Sequence, residues 1–429
     1  MNSFLFSILF VVFLGITLTL QFWLSSRQLR HVSKHRAAVP AEFTQQVGLE
    51  AHQKAADYTI AKAKFSLLSL FFSVLVLLGF TLFGGLQLLA LSLFKLCGDG
   101  MLYQLSLLAA FAVISGLIDL PFDYYRQFVL EERFGFNKMT QKLFFIDMIK
   151  GALIGAAIGL PLVWVVLTLM DKSGALWWLY AWCVWSGFQL LMMLIFPTWI
   201  APLFNKFTPL EDLSLKARIE ALMQRVGFAS SGLFVMDGSK RSAHGNAYFS
   251  GFGSTKRIVF FDTLIARLSA AEIEAVLAHE LGHFKLKHIV KRMVVMFALS
   301  LGFLALLGYL KQQMWFYTGL GVDPVLFASS NNAMALILFM LTLPVFTFVL
   351  SPLSSISSRK HEFEADAFAV KHTNANDLVT ALVKLYEDNA STLTPDPIHS
   401  AFYDSHPPAT IRIAHLHQAQ SNTKQAQPN

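Results

Sequence analysis

Charged residues are scarce in this chain. Only 14% of its 429 residues are Asp, Glu, Lys or Arg, whereas 55% are hydrophobic, and the mean hydropathy is +0.53. Soluble globular proteins carry about 25% charged residues, so this composition excludes that class. The chain is therefore expected in a lipid bilayer.

Cysteine is almost absent as well. Cys97 and Cys183 are the only two, and both lie in or beside apolar segments. This excludes a disulfide framework and a zinc site built from cysteine thiolates. Any metal site must therefore use histidines and carboxylates.

Long hydrophobic runs are abundant. A helix needs about 20 apolar residues to cross the hydrocarbon core of a bilayer, and seven segments meet that requirement. They are predicted near Phe4–Leu24, Phe65–Phe94, Met101–Leu120, Gly151–Met170, Leu176–Ile200, Met293–Leu310 and Ala333–Leu350.

The basic residues predict the orientation of these seven spans. Lysines and arginines are concentrated after the first and third spans and are few in the loops on the opposite side. Positively charged loops stay in the cytoplasm, so the N-terminus is expected outside and the C-terminus in the cytoplasm. The net charge of +7 is spread over these loops and forms no single stripe, so the expected partner is the lipid bilayer and no nucleic acid.

This topology divides the chain into four parts and predicts a mainly α-helical membrane protein. Residues 1–204 carry spans one to five, 205–288 form a cytoplasmic domain, 289–352 carry spans six and seven, and 353–429 form a cytoplasmic helical region. A small β-sheet is expected in the first cytoplasmic part, from the strand-like runs Gly232–Met236, Ala247–Phe249 and Ile258–Phe261.

The strongest chemical signal is His279-Glu280-Leu281-Gly282-His283. Residues four apart lie on one face of a helix, so both imidazoles can bind one metal ion while Glu280 acts as general base on a water. Ser269-Ala270-Ala271-Glu272 is a capping-box sequence and predicts a helix that starts at Ala270. This pattern is typical of zinc hydrolases; the alternative is an ordinary amphipathic helix with two neighbouring histidines.

A catalytic zinc site of this type needs a third protein ligand. Glu362, about eighty residues downstream, is the candidate, with Glu364 and His361 as rivals. Asp366 follows one helical turn after Glu362, where it could accept the second N–H of a ligating imidazole. The alternative is that these acids form a solvated helix face.

Two further histidines have open roles. His406, in Ser405-His406-Pro407-Pro408, is a candidate donor to the oxyanion of a tetrahedral intermediate, or else an ordinary loop residue. His288 lies five residues after His283, about 140° around a continuous helix, and is not expected to reach the same metal.

A protease must also hold its substrate in an extended conformation, commonly against an exposed edge strand. Asn246, Ala247 and Tyr248 form the candidate substrate-binding edge. The alternative is an ordinary hairpin strand in a small sheet.

Taken together, the motifs resemble the type I CAAX prenyl proteases, integral-membrane zinc metalloproteases of the gluzincin class. The resemblance covers most of the chain. Beyond the His279–His283 motif it includes Val129–Asn137, Ile200–Phe207, Lys240–Phe249, Glu362–Asp366, and Ser405–Pro408 with Arg412.

The resemblance implies seven transmembrane helices that form a barrel around a large chamber, closed on the cytoplasmic side by the metalloprotease domain. It implies one Zn²⁺ as cofactor. The residues it assigns are His279, His283 and Glu362 as zinc ligands, Glu280 as general base, His406 as an intermediate-stabilising residue, Asp366 with Arg412 as a supporting pair, and Asn246 with the strand after it as the substrate-binding edge.

Eukaryotic members of that family remove the last three residues of C-terminally prenylated proteins. The expected function is therefore a membrane-embedded zinc endopeptidase acting on peptide or protein substrates, including C-terminally lipidated ones. The terminal residues Thr423–Asn429 contain no dilysine retrieval signal, so a bacterial inner membrane is expected rather than the endoplasmic reticulum.

Two alternatives remain open. Because bacteria generally lack protein prenylation, the first is a membrane quality-control protease without CAAX specificity. The second is a non-catalytic transporter or scaffold with a structural zinc site. The presence of Glu280 argues against this second alternative, since only catalysis requires a base beside the ligands.

Overall fold

The computed structural model describes residues 1–250, 257–327 and 331–425, and α-helices dominate it. The helices in these residues are α1 (Ser3–His35), α2 (Leu49–Phe80), α3 (Gly85–Cys97), α4 (Met101–Tyr125), α5 (Gln141–Lys172), α6 (Trp177–Ile195), α7 (Leu213–Arg225), α8 (Asp262–Arg267), α9 (Ala270–Lys285), α10 (His288–Leu310), α11 (Met314–Thr318), α12 (Asn332–Thr347), α13 (Ser351–His372), α14 (Ala375–Asp388), α15 (Pro397–Tyr403) and α16 (Ala409–Gln425).

Seven helical stretches in the described residues are long and apolar enough to cross a membrane, which confirms the predicted number. They are Ser3–His35, Leu49–Phe80, Met101–Glu131, Gln141–Lys172, Gly174–Leu203, His288–Leu310 and Asn332–His372. Most extend well beyond the apolar runs at one end, so that the same helix carries both lipid-facing residues and polar residues near the metal centre.

The predicted bounds of the second span, Phe65–Phe94, were wrong. The span is α2, which starts 16 residues earlier at Leu49 and ends at Phe80, and α3 is a separate shorter helix. Gly84 adopts a left-handed φ of 77°, and a Cβ on Gly85 would lie 2.6 Å from the carbonyl oxygen of Gly79. Only glycines permit so tight a turn, which interrupts an otherwise continuous apolar run.

A four-stranded sheet lies beside α9, as the strand-like runs predicted. Its strands are β1 (Phe207–Pro209), β2 (Gly232–Met236), β3 (Ala247–Ser250) and β4 (Arg257–Phe261), in the spatial order β1-β2-β4-β3. The β2–β4 pair is parallel and the other two pairs are antiparallel. Within the described residues β3 therefore has a strand on one side only and forms an edge of the sheet.

The sheet and the helices around it share one apolar core, separate from the core of the membrane helices. Its buried members include Ile219 of α7, Phe260 of β4, Leu277 and Leu281 of α9, and Leu382 of α14. The two cytoplasmic parts predicted at 205–288 and 353–429 thus pack together as one unit. The division of the chain into four parts otherwise stays a prediction.

Helices α9 and α13 pack closely because small residues lie where they meet. A Cβ on Gly282 would lie only 3.0 Å from the Cα of Ala365 and 3.1 Å from the Cβ of Phe368. Ala365 is itself fully buried. This close approach brings Glu362, one turn before Ala365, next to the two histidines of α9.

Candidate metal centre

Helix α9 begins as its sequence predicts. The Ser269 hydroxyl accepts a hydrogen bond from the backbone N–H of Glu272, and the Glu272 carboxylate accepts one from the backbone N–H of Ser269. The Glu272 carboxylate also accepts a hydrogen bond from Lys384 of α14, at 2.8 Å. These contacts fix the start of the helix, and His279 and His283 then lie on the same face two to three turns later.

His279, His283 and Glu362 bring three ligand atoms together. The two Nε2 atoms lie 3.2 Å apart, His279 Nε2 lies 3.4 Å from Glu362 Oε2, and His283 Nε2 lies 3.3 Å from Glu362 Oε1. Ligand atoms of a tetrahedral zinc ion are about 3.3–3.6 Å apart, because each bond is about 2.0–2.2 Å long. The three side chains thus have the spacing that such an ion requires.

The hydrogen bonding of Glu362 gives an independent test of this fit. The side chain is only 6% exposed, and its Oε2 atom is buried without a hydrogen-bond partner among the described residues. Arg412 Nη1 lies 3.8 Å from this oxygen, too far for a hydrogen bond. A buried carboxylate oxygen without a hydrogen bond is costly, and a bound metal cation would satisfy it. The donor set of two imidazoles and one carboxylate is that of a catalytic zinc site, so the residues fit the metal that the sequence implies.

His279 is held from behind by a buried carboxylate. Its Nδ1 atom lies 2.8 Å from Asp366 Oδ1, which directs Nε2 toward the site. Arg412 donates two hydrogen bonds to Asp366, of 2.8 and 2.7 Å, and all three side chains are at most 7% exposed. The Asp366–Arg412 pair implied by the resemblance therefore lies directly against a ligand.

The charges around His279 also affect its protonation. Burial and the nearby Arg412 lower the pKa of His279, but the carboxylates of Asp366 and Glu362 raise it by more, to about 9. A metal ligand must be a neutral imidazole, so binding of a cation here displaces a proton.

His283 is held in a different way, through a second histidine. Its Nδ1 atom lies 3.0 Å from Nδ1 of His288, and Nε2 of His288 lies 2.9 Å from Glu364 Oε2. If Nε2 of His283 faces the metal, its Nδ1–H donates to His288, whose Nε2–H donates to Glu364. Every proton in this relay then has an acceptor.

The sequence prediction missed this role of His288. A continuous helix would have placed it about 140° away from His283, but α9 ends at Lys285 and α10 begins at His288. Between them Lys287 adopts a left-handed φ of 58°, which redirects the chain. His288 is not one of the three residues that face the metal site; it contacts the opposite nitrogen of His283. A non-glycine residue in this conformation leaves no clear signal in the sequence.

The two rivals of Glu362 lie on the far side of His288. The His361 ring stacks on His288 with centroids 4.1 Å apart and 14° between planes. His288, His361 and Glu364 place ligand atoms within 4.8 Å of one another. However, imidazole lone pairs lie in the ring planes, and nearly parallel planes do not converge on one ion. The geometry favours Glu362 as the third ligand.

His406 is directed at the same centre. Its Nε2 atom lies 3.4 Å from Glu362 Oε1, and its Nδ1 lies 3.0 Å from the Ser405 hydroxyl, which can donate to it. Desolvation between the surrounding elements lowers the pKa of His406, Glu362 raises it, and Arg412 lowers it, so that the net shift is downward. A neutral ring with Ser405 on Nδ1 carries its proton on Nε2, where it can donate toward the site.

Glu280 and the edge strand line a cavity of about 490 Å³ next to these residues. Asn246, Ala247, His279 and His406 are among its other lining residues. The backbone N–H of Phe261 donates to the carbonyl of Asn246, so the backbone groups of Asn246 and Tyr248 face β4. Because antiparallel pairs alternate, the backbone groups of Ala247 and Phe249 face away from the sheet.

A second cavity of about 770 Å³ continues from this site between the membrane helices. It shares Tyr58, Lys62, His406 and Arg412 with the first cavity. It extends along one face each of α1 and α2, lined by Gln21, Ser25, Gln28, Thr59, Ala63, Ser66 and Leu70. The metal centre thus opens toward the interior of the membrane helices.

Comparisons with known proteins agree with this arrangement. Residues 28–206 match the family model described as the CAAX prenyl protease N-terminal region with five membrane helices, and residues 209–420 match peptidase family M48. The chain is 37% identical to CAAX prenyl protease 1 of Saccharomyces cerevisiae over 92% of this chain and 91% of the relative. It is 33% identical to the CAAX prenyl protease 1 homolog of Mus musculus over 94% and 92%.

A solved structure is similar over nearly the whole chain. The crystal structure of S. mikatae Ste24p matches with a TM-score of 0.90 and 35% sequence identity, covering 96% of this chain and 99% of that one. The expected mainly helical membrane fold is therefore confirmed.

Proposed function

Because this chain belongs to the CAAX prenyl protease family, peptidase family M48, and is a membrane metalloendopeptidase, we propose that its metal is a single Zn²⁺ and that it cleaves substrates near their C-termini. The ligands are His279, His283 and Glu362, and Glu280 is the general base. The substrates include proteins that carry a lipid on a cysteine near the C-terminus.

One observation carries the zinc assignment: three ligand atoms from α9 and α13 lie 3.2–3.4 Å apart, and the carboxylate among them has a buried oxygen without a hydrogen-bond partner in the described residues. A structural zinc site would have four protein ligands, whereas the described residues supply three here and the site opens onto a cavity. An open position beside a base is the arrangement of a hydrolase and not of a scaffold.

Hydrolysis then assigns a role to each side chain. Zn²⁺ at this position would supply Lewis acidity, which makes a water more acidic and polarises the scissile carbonyl. Glu280 accepts the proton of the attacking water and delivers it to the departing amine. The Nε2–H of His406 donates a hydrogen bond to the carbonyl oxygen as it gains negative charge.

The substrate backbone pairs with β3. The backbone groups of Ala247 and Phe249 point away from β4, in the direction in which a peptide would extend the sheet by one strand. In this structure the Ala247 N–H bonds to the side chain of Asn246 at 2.8 Å, a contact that a peptide carbonyl would replace. This orients Asn246 beside the scissile bond.

Two features support a lipidated substrate. The relatives that share most of their length with this chain are called CAAX prenyl proteases. The 770 Å³ cavity that leads from the metal centre between α1 and α2 offers a path for a lipid chain beside the peptide. The N-terminus outside and the catalytic side in the cytoplasm stay predictions, as does a bacterial inner membrane; the named relatives are eukaryotic.

The test is the substitution Glu280→Gln. It removes the base but keeps the shape of the side chain, so metal content should stay unchanged while cleavage of a farnesylated CAAX peptide falls about 10²–10⁴-fold. Metal analysis of the purified protein and peptide mass spectrometry measure the two quantities. The matched control is Glu220→Gln, on the exposed face of α7, which should keep full activity.

Retained cleavage by the Glu280→Gln protein would remove the proposed base. Cleavage of the farnesylated and unfarnesylated peptides at equal rates would instead favour a protease without CAAX specificity.

A further inference from the structure

The cavity at the metal centre is lined by a lysine that forms no ion pair within 4.0 Å among the described residues, and we propose that Lys62 of α2 binds the C-terminal carboxylate of the substrate. This inference rests on the proposed function, since it concerns how that substrate is recognised. It assigns a specificity role to a residue in a transmembrane helix, outside the metalloprotease motifs.

The chemistry of C-terminal cleavage requires such a group. Removing three residues places the substrate's terminal carboxylate three residues beyond the scissile bond. That carboxylate must leave bulk water to reach the cavity, and an unpaired charge in such a place is costly. A cation that meets it there would select C-terminal substrates over internal segments of a chain.

Among the described residues that line the cavity, two are lysine or arginine, Lys62 and Arg412. Arg412 is 5% exposed and already donates two hydrogen bonds to Asp366. Lys62 is exposed, and within the described part of the chain no carboxylate oxygen lies within 4.0 Å of its ammonium group. Lys62 is therefore the cation available to a ligand.

The ammonium group of Lys62 lies near an aromatic ring and is attracted by one carboxylate, Glu131, which stays beyond ion-pair distance. The ammonium group lies 4.8 Å from the centre of the Tyr58 ring, one turn earlier on α2. The Tyr58 hydroxyl donates to Glu131 at 2.6 Å, and His244 Nε2 lies 3.6 Å from the other oxygen of Glu131. Glu131, the acid of this cluster, is thus engaged by Tyr58 and His244.

The direction of the edge strand leads toward Lys62. A peptide that pairs antiparallel with β3, the more stable arrangement, runs with its C-terminal end toward the start of that strand. Ser242 and His244, which precede the strand, line the cavity together with Tyr58 and Lys62. The residues after the scissile bond are therefore guided to the side where Lys62 lies.

The size of the cavity fits the length of the leaving tripeptide. A sphere of about 490 Å³ is about 10 Å across, and three residues in extended conformation span about 10 Å. A carboxylate three residues from the scissile bond would thus reach the far wall of the cavity from Glu280.

The test compares two farnesylated peptides, each with the modified cysteine fourth from the C-terminus, one ending in a carboxylate and one in a carboxamide. The wild-type protein should prefer the carboxylate by about 10- to 100-fold in kcat/KM, the range of a charge-assisted hydrogen bond. The Lys62→Met protein should lack this preference, because it should cleave the carboxylate peptide more slowly and the carboxamide peptide at an unchanged rate. Lys62→Arg, which keeps the charge, should retain most of it.

The matched control is Lys64→Met, two residues along the same helix, because Lys64 lines other cavities away from the metal centre. It should leave the preference unchanged. Equal cleavage of both peptides by the wild-type protein, or an undiminished preference in Lys62→Met, overturns the assignment and leaves the proposed function standing. Failure of the wild-type protein to cleave either peptide overturns both.

Discussion

The two imidazoles of the metal centre are supported by neighbours of different kinds. Behind His279 lies a carboxylate, Asp366, which is fully buried and paired with Arg412. Behind His283 lies a neutral ring, His288, which passes its hydrogen bond to Glu364, a carboxylate 34% exposed. One side is a closed ion-pair network, and the other is a relay that ends near the surface.

The difference shows how burial decides which support is possible. A carboxylate at the depth of Asp366 is tolerated only because Arg412 neutralises it, and that pair in turn depends on the packing of α13 against α16. On the His283 side, His288 connects the ligand to Glu364, a carboxylate that remains partly hydrated. We therefore expect the His279 side to be the more sensitive to substitution.

The largest effect is expected where both sides meet. Glu362 is the common neighbour of the two imidazoles, with one oxygen toward each. Glu362→Ala should therefore abolish stoichiometric metal binding and lower activity at least about 10³-fold, because only two ligands remain. Metal content after dialysis and peptide cleavage measure this.

The rival Glu364 provides the comparison for that experiment. Glu364→Ala should retain bound metal after the same dialysis. If metal is lost from Glu364→Ala and kept in Glu362→Ala, the ligand assignment is wrong, and so is the description of the residues that support His279 and His283.

The next largest effect is expected on the His279 side. Asp366→Asn replaces an oxygen that faces Arg412 or His279 with an N–H group, so one buried donor is left without an acceptor. Metal affinity should fall about 10- to 100-fold, as for other residues that orient a ligand. Competition with a chromophoric chelator measures the affinity, and Asp388→Asn, at the exposed ion pair with Arg267, is the matched control.

A smaller effect is expected on the His283 side. Glu364→Gln keeps an acceptor for the Nε2–H of His288 but removes the charge, and solvent already screens that carboxylate. Metal affinity should fall by less than about tenfold, with Glu387→Gln as the surface control. A loss as large as that of Asp366→Asn would contradict the difference between the two sides.

The smallest effect on the centre is expected from a change that acts on both sides equally. Glu272→Gln weakens the start of α9 without touching either support. It should lower the apparent Tm by a few degrees, since a helix cap and a partly exposed ion pair contribute about 1–2 kcal/mol together. Thermal unfolding in detergent measures this. When Asp366→Asn and Glu364→Gln are each combined with Glu272→Gln, the ratio of their losses in metal affinity should not change.

The pH dependence sharpens that last experiment. Burial raises the pKa of Glu272, but hydrogen bonds from Lys384 and Ser269 lower it by more, so the net pKa is below its ordinary value. The ionised side chain therefore contributes stability above the ordinary glutamate pKa, and this contribution is lost as pH falls through the lowered one. The Tm difference between wild type and Glu272→Gln should shrink on acidification; a constant difference would exclude this contribution.

Local sequence features predicted helix α9 almost completely. Its start at Ala270 follows from Ser269 and Glu272, and the common face of His279 and His283 follows from the helical repeat. Three of the four strands in the described residues were predicted for the same reason, since β-prone runs are local patterns, whereas the short strand β1 was missed. By contrast, the second span was placed wrongly, because a reversal at Gly84 and Gly85 hardly changes the hydropathy of the segment.

The amino-acid sequence by itself determined that this chain spans a membrane, that α9 carries two imidazoles on one face with a carboxylate beside them, and which acids were available to complete a metal site. Only the tertiary structure decided among those acids. The contact of Gly282 with Ala365 brings Glu362 rather than Glu364 to the histidines, and the turn at Lys287 brings His288 behind His283. Helical periodicity fixes which residues share a face, but the distance between two faces depends on how closely the helices pack.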